Sequence, residues 1–234
     1  RRVVLGGREF DREVAVLARR YGRSPAEVRA SAQAEFRRIA AKPNGLVLAL
    51  CDRLARLLLG RLFSSVSAEG LESFNAAARL HPTVLVPMHR SHLDYILISA
   101  QLYAAGMTPP LVAAGINLAF WPAGALLRRA GAYFVRREAS HNFIHGLVLR
   151  RYVTYLVKRG HLQEFFIEGG RSRSGRMLAP KHGLLSIIVT AFLNGARKEI
   201  LFVPVSITYE SVIEDRAYSA ENSGLPKRRE SFWS

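Results

Sequence analysis

Between residues 83 and 207, short apolar runs alternate with longer stretches of helical periodicity. The runs are TVLVP (83–87), LVAAG (111–115), AYFV (132–135), EFFIE (164–168) and LFVPVSI (201–207). The intervening stretches 94–105, 122–129, 142–159 and 183–194 read as helices. This alternation predicts an α/β fold with a largely parallel sheet flanked by helices. Ahead of it the pattern is helical. In SPAE (24–27), Ser24 is placed to cap, Pro25 to occupy the first helical position and Glu27 to close a capping box. A helix is expected from there to about Ala41, where KPNG breaks it. Next comes LVLALCDRLARLLLGRLF (46–63), a broad leucine face punctuated by Arg53, Arg56 and Arg61. The pattern favours a core-packing helix with snorkelling arginines. The alternative is an interfacial helix lying on anionic lipid. The expected division is a helical N-terminal region (1–64) and an α/β domain (65–234).

Composition adds partners to this picture. Across 234 residues, 34 Lys+Arg against 18 Asp+Glu give a net charge of +16. Nucleic acid, an anionic membrane surface and a phosphate-bearing small molecule all fit such a balance. A single cysteine, Cys51, excludes an internal disulfide. Residues 95–127 carry no charge, but Pro109, Pro110 and Pro122 interrupt them, so buried strands are expected rather than a membrane span. The chain begins at Arg1 and stops at ESFWS, which reads as a fragment of a longer protein.

Polar clusters follow three of the strands. HRSHLD (89–94) follows TVLVP, Arg136 and Arg137 follow AYFV, and GGRSRSGR (169–176) follows EFFIE. In an open parallel sheet, ligands bind at the carboxyl ends of the strands, so the topology is expected to gather all three. His89 accepts a proton near neutral pH. A carboxylate on its other ring nitrogen would fix the tautomer, and Asp94 folds back to that position if the chain turns from strand to helix across Arg90–His92. No protein nucleophile stands beside this pair, which points to a substrate hydroxyl. Three rivals stay open. His89, His92 and Asp94 could ligate a metal, although arginines are poor company for a cation. Ser91 could be a nucleophile, although the Gly-x-Ser-x-Gly elbow is missing. Asp94 could simply cap a helix.

The second and third clusters describe an anion cradle. Arginine grips phosphate with two parallel N–H donors. Gly169 and Gly170 allow close backbone approach, Ser172 and Ser174 add hydroxyls, and Lys181 adds charge. Glu168 ends a buried strand and is expected to pair with an arginine. The arginines do not stripe one helix and no aromatic-interleaved RNA motif occurs, so a phosphate ester is preferred over nucleic acid.

HRSHLD, GAYFVRR, FIEGGRSRSGR and VPVSITYE, in this order and spacing, resemble the four blocks of the glycerolipid acyltransferases. The likeness is greatest to the membrane-associated glycerol-3-phosphate acyltransferases. INLAFWPAG (116–124) is similar to the bacterial type, and GLPKRRES (224–231) resembles a segment of mitochondrial glycerol-3-phosphate and peroxisomal dihydroxyacetone-phosphate acyltransferases. The resemblance covers about 65–234. It implies transfer of a fatty acyl group from acyl-CoA or acyl-carrier protein to the sn-1 hydroxyl of glycerol 3-phosphate, without metal or cofactor. The charge of +16 and the arginine-spaced helix at 46–63 suggest peripheral attachment to anionic lipid, expected at the cytoplasmic face of an inner membrane. By the same resemblance, His89 is the base and Asp94 its partner. Arg137, Glu168, Gly169, Arg171, Ser172 and Pro204 match the blocks that bind substrate; Arg136, Arg173 and Lys181, by their charge and place in the chain, are candidates for additional phosphate contacts.

Overall fold

The computed structural model describes residues 3–136, 142–172 and 176–209. Arg137, Arg173, Ser174 and the GLPKRRES segment lie outside them. Four helices come first: α1 (Gly7–Tyr21), α2 (Pro25–Ile39), α3 (Gly45–Leu62) and α4 (Leu71–Leu80). Then β1 (Thr83–Pro87), α5 (Asp94–Ala104), β2 (Leu111–Gly115), a short 3₁₀ turn (Ile116–Leu118), α6 (Ala123–Arg129) and β3 (Ala132–Val135) follow. The chain continues through α7 (Phe143–Arg159), β4 (Gln163–Glu164), α8 (Gly183–Leu193) and β5 (Leu201–Val205). The strands form one parallel sheet in the order β3-β2-β4-β1-β5.

Local chemistry explains most boundaries. Ser24 Oγ accepts from Glu27 N–H at 3.2 Å and Ser24 N–H donates to Glu27 Oε2 at 2.8 Å, completing the capping box of α2. Asn44 caps α3 by accepting from Val47 N–H, and Asn142 caps α7 by accepting from His145 N–H. Helix α7 stops at Gly160, whose φ of 69° is the left-handed conformation that ends helices.

Alternate residues of β1 face opposite layers, as the pleat requires. Val84 joins a large apolar cluster with Val14 of α1, Ala32 of α2, Val153 of α7 and Ile188 of α8. Leu85 joins the opposite cluster with Ile98 and Leu102 of α5. The N-terminal helices therefore share a core with the sheet. Each fully buried Val, Ile or Phe in it contributes on the order of 1.5–3 kcal/mol.

Two expectations change. Strand β4 ends at Glu164 rather than running to 168. Beyond Phe165 the chain leaves the ladder and closes a turn, with Gly169 N–H donating to Phe166 C=O at 2.9 Å. Helix α3 is not a core-packing helix. It buries Leu59 and Asp52, and leaves Leu46, Leu50, Leu54 and Leu57 more than half exposed. Leu59 packs against Leu93, Leu97 and Ala100 of the α5 region, α6 lies beside the helix as well, and the outer leucines stay exposed. Among the described residues, no helix is long and apolar enough to cross a membrane.

Candidate active site

The strand order brings the first and third clusters together. β4 lies directly beside β1, so the loop after each emerges at the same edge. β5 flanks β1 on its other side and delivers the residues after Val205 to that edge as well.

The turn after β1 folds Asp94 back on His89. His89 Nδ1 lies 2.9 Å from Asp94 Oδ2. The same oxygen accepts from the backbone N–H groups of Arg90 (2.7 Å) and Ser91 (3.0 Å). Oδ1 accepts from the Tyr209 hydroxyl at 2.6 Å. Asp94 is the first residue of α5 and its side chain serves this turn rather than capping the helix. Burial alone would raise its pKa. His89, Tyr209 and the two backbone donors outweigh that and hold the carboxyl below its ordinary value. Asp94 is thus an ionised acceptor, Nδ1 of His89 is the protonated nitrogen, and Nε2 carries the lone pair. Phe166 stacks on the imidazole with centroids 3.9 Å apart, closing one face of the ring. Among the described residues, no group of three or more His, Cys, Asp or Glu side chains is placed to hold a metal ion.

Glu168 was expected to take an arginine, and among the described residues it takes backbone instead. Its Oε1 accepts from His89 N–H at 3.0 Å and its Oε2 from Leu178 N–H at 2.7 Å, in a fully buried position. One carboxylate therefore ties His89 to the end of the Gly-Gly-Arg loop. A second tie runs from Ser172 N–H to His89 C=O at 2.7 Å, while the Ser172 hydroxyl donates to the Arg176 carbonyl. Gly169 sits at a φ of 62°. A Cβ there would approach only the flexible Lys181 side chain, at 2.8 Å, so it is the left-handed backbone that calls for glycine. Lys181 N–H donates to Ile167 C=O at 2.7 Å, which returns the chain from the loop toward α8. Arg171 follows in the same loop, half-buried. Pro204 lies on edge strand β5, in register with Val86, where a missing N–H is tolerated.

The second cluster stands farther off. β3 is separated from β4 by β2, roughly 10 Å at two strand spacings. Arg136 Nε lies 3.7 Å from Glu35 Oε1 of α2. Its backbone N–H donates to His145 Nε2 at 3.2 Å, and His145 Nδ1–H donates to Glu35 Oε1 at 2.8 Å. The bond from His145 holds the Glu35 carboxyl below its ordinary value against the opposing effect of burial, with Arg38 and Arg136 assisting. A buried His–Glu pair from α7 and α2 therefore anchors the strand end that carries the arginines. Glu35, His145, Phe166 and Tyr209 were not identified from sequence. Tyr209 had a signal, since it stands just past a strand in the VPVSITYE block.

A family profile described as Acyltransferase matches residues 65–208, a span that takes in all five strands, the His89–Asp94 turn and the Gly-Gly-Arg loop and ends one residue before Tyr209. A glycerol-3-phosphate acyltransferase of Xylella fastidiosa (strain M12) is 41% identical over 230 residues, covering 98% of this chain and 27% of the relative. One from Xanthomonas axonopodis pv. citri is 40% identical over 230 residues, covering 98% and 26%. One from Shewanella pealeana is 41% identical over 209 residues, covering 89% and 26%. The chain thus spans about a quarter of the length of these relatives. With the family profile matched across the sheet and both loops of the site, the chain belongs to the acyltransferase family.

Proposed function

We propose that this chain carries the catalytic centre for acyl transfer from acyl-CoA or acyl-carrier protein to the sn-1 hydroxyl of glycerol 3-phosphate, giving lysophosphatidic acid. The observation that carries the reading is the His89–Asp94 pair at the sheet edge, tied through Glu168 to a glycine–arginine loop. Names of the relatives support the acceptor.

His89 Nε2 takes the proton of the acceptor hydroxyl as its oxygen attacks the thioester carbonyl. Asp94 stabilises the imidazolium that forms. The tetrahedral adduct then collapses, the C–S bond breaks, and the thiolate leaves with the proton returned by His89. Arg137, Arg171 and the Gly169 backbone grip the phosphate, with Arg136, Arg173 and Lys181 contributing charge. That grip decides which hydroxyl reaches His89 and uses remote binding energy for orientation. A thioester is already activated, so the step calls on neither metal nor cofactor.

The exposed leucines of α3, with Arg53 and Arg61 beside them and Trp121 86% exposed near α6, support peripheral attachment to an anionic membrane surface. The net charge of +16 has the matching sign.

The deciding assay follows labelled palmitoyl-CoA and palmitoyl-carrier protein with glycerol 3-phosphate and dihydroxyacetone phosphate as acceptors, analysed by mass spectrometry. Lysophosphatidic acid acylated at sn-1 is expected, and His89→Ala should abolish it while glycerol 3-phosphate still binds. Preference for dihydroxyacetone phosphate would reassign the acceptor. Lipid binding without turnover would leave a basic lipid-binding module of the same fold.

A further inference from the structure

We infer that Tyr209 is a positioning residue for the catalytic pair, holding Asp94 in the plane and charge state in which it serves His89. The inference rests on the reading of His89 as base and deepens it.

Asp94 is wholly buried, so water cannot complete its hydrogen bonding. Its Oδ2 is taken by His89 and by two backbone N–H groups of its own turn. Those three donors all meet one oxygen, and a buried carboxylate has a second to satisfy. The Tyr209 hydroxyl donates to that second oxygen, Oδ1, at 2.6 Å. A carboxylate gripped at both oxygens presents Oδ2 to Nδ1 in one orientation. The bond arrives from 115 residues away in sequence, from the segment that follows β5, so it is not part of the local turn.

The ring has a seat of its own. Tyr209 packs against the cluster of Leu59, Leu93, Leu97 and Ala100, and its ring centroid is 5.9 Å from that of Phe63. Leu59 belongs to α3 and Phe63 follows its last turn, while Leu97 and Ala100 belong to α5. Helix α3 therefore backs the tyrosine that backs the aspartate. A phenylalanine would keep this packing and lose only the donor, which makes Tyr209→Phe a clean test.

The hydroxyl also draws charge from Asp94. Without it the carboxylate is more basic and His89 beside it is easier to protonate. A protonated His89 cannot act as base, so the acidic limb of the rate profile moves to higher pH.

The experiment compares wild type, Tyr209→Phe and His89→Ala in the intact protein, with kcat, KM for glycerol 3-phosphate and the pH dependence of kcat as readouts. Loss of a hydrogen bond to a charged group predicts a kcat about tenfold to a hundredfold lower in Tyr209→Phe. KM should be little changed, and the acidic limb should shift upward. A wild-type kcat and an unmoved limb in Tyr209→Phe, with His89→Ala inactive, would overturn the role of Tyr209 alone. A lowered melting temperature and a smaller active fraction with an unmoved limb would also overturn it, leaving a structural tyrosine. Turnover surviving in His89→Ala would instead overturn the reading of the base beneath it.

Discussion

Glu168→Gln tests whether the third block's carboxylate works on substrate or on the loop. In the structure its two oxygens accept one backbone N–H each, from His89 at 3.0 Å and Leu178 at 2.7 Å, and the side chain is 2% exposed. Glutamine is almost the same shape. Its one oxygen can keep one of these bonds, now neutral rather than charge-assisted, at a cost of about 1 kcal/mol. Its amide NH₂ must face the other N–H, which then has no acceptor, and a buried unsatisfied donor costs about 1–3 kcal/mol. The sum is roughly 2–4 kcal/mol, or about 5–15 °C in melting temperature for a chain of this size. Because one end of the clamp is the backbone of His89, kcat should fall together with stability. Thermal unfolding and steady-state kinetics on the same preparation would check this. A variant with wild-type melting temperature and kcat but a raised KM for glycerol 3-phosphate would refute the clamp and return the carboxylate to substrate binding.

Arg171→Ala should lower kcat/KM for glycerol 3-phosphate about tenfold to a hundredfold, the worth of a charge-assisted hydrogen bond. It should leave the slow acylation of plain glycerol unchanged, and equal losses on both acceptors would remove the arginine from the phosphate cradle. Leu50→Glu combined with Leu54→Glu alters side chains that are 53% and 60% exposed, so the melting temperature should hold while sedimentation with anionic vesicles falls roughly tenfold or more. Unchanged vesicle binding would clear α3 of any membrane role. Glu164 on β4 is fully buried with neither carboxylate oxygen hydrogen-bonded among the described residues, and burial, aided by the charge of Asp94, pushes its pKa well above the ordinary value of 4.5. An acid whose pKa is raised on folding binds more protons folded than unfolded, so stability declines as pH rises above 4.5 toward the folded value. Glu164→Gln should therefore gain stability relative to wild type as pH rises above 4.5, and a pH-independent difference between the two would contradict this.

Patterns a few residues long carried most of the elements. TVLVP, LVAAG and AYFV became strands with the expected bounds, and the capping box at Ser24 opens α2, because strand alternation and helix capping are local interactions. The His89–Asp94 contact was legible too, since five residues are enough for one turn to close on itself. Helix α1 and helix α4 were not named from sequence as separate elements, and β4 proved shorter than its apolar run. That run ends early because Phe166 and Glu168 serve the site: one stacks on His89 and the other accepts its backbone N–H.

Which groups the chain brings to the site was therefore determined by the sequence itself: a histidine and an aspartate five residues apart, a glycine–arginine loop, a strongly basic composition and the order of four family blocks. Only the tertiary structure decided who partners whom. The order β3-β2-β4-β1-β5 puts the Glu168 loop beside His89, sets Tyr209 on Asp94 from the far flank, and turns Arg136 toward Glu35. It also left the leucines of α3 outside a core that their pattern had suggested they join. Strand order and helix placement depend on how distant segments pack, and no period along the chain encodes that. A buried carboxylate takes whichever donors the neighbouring strand delivers, and for Glu168 those were backbone amides.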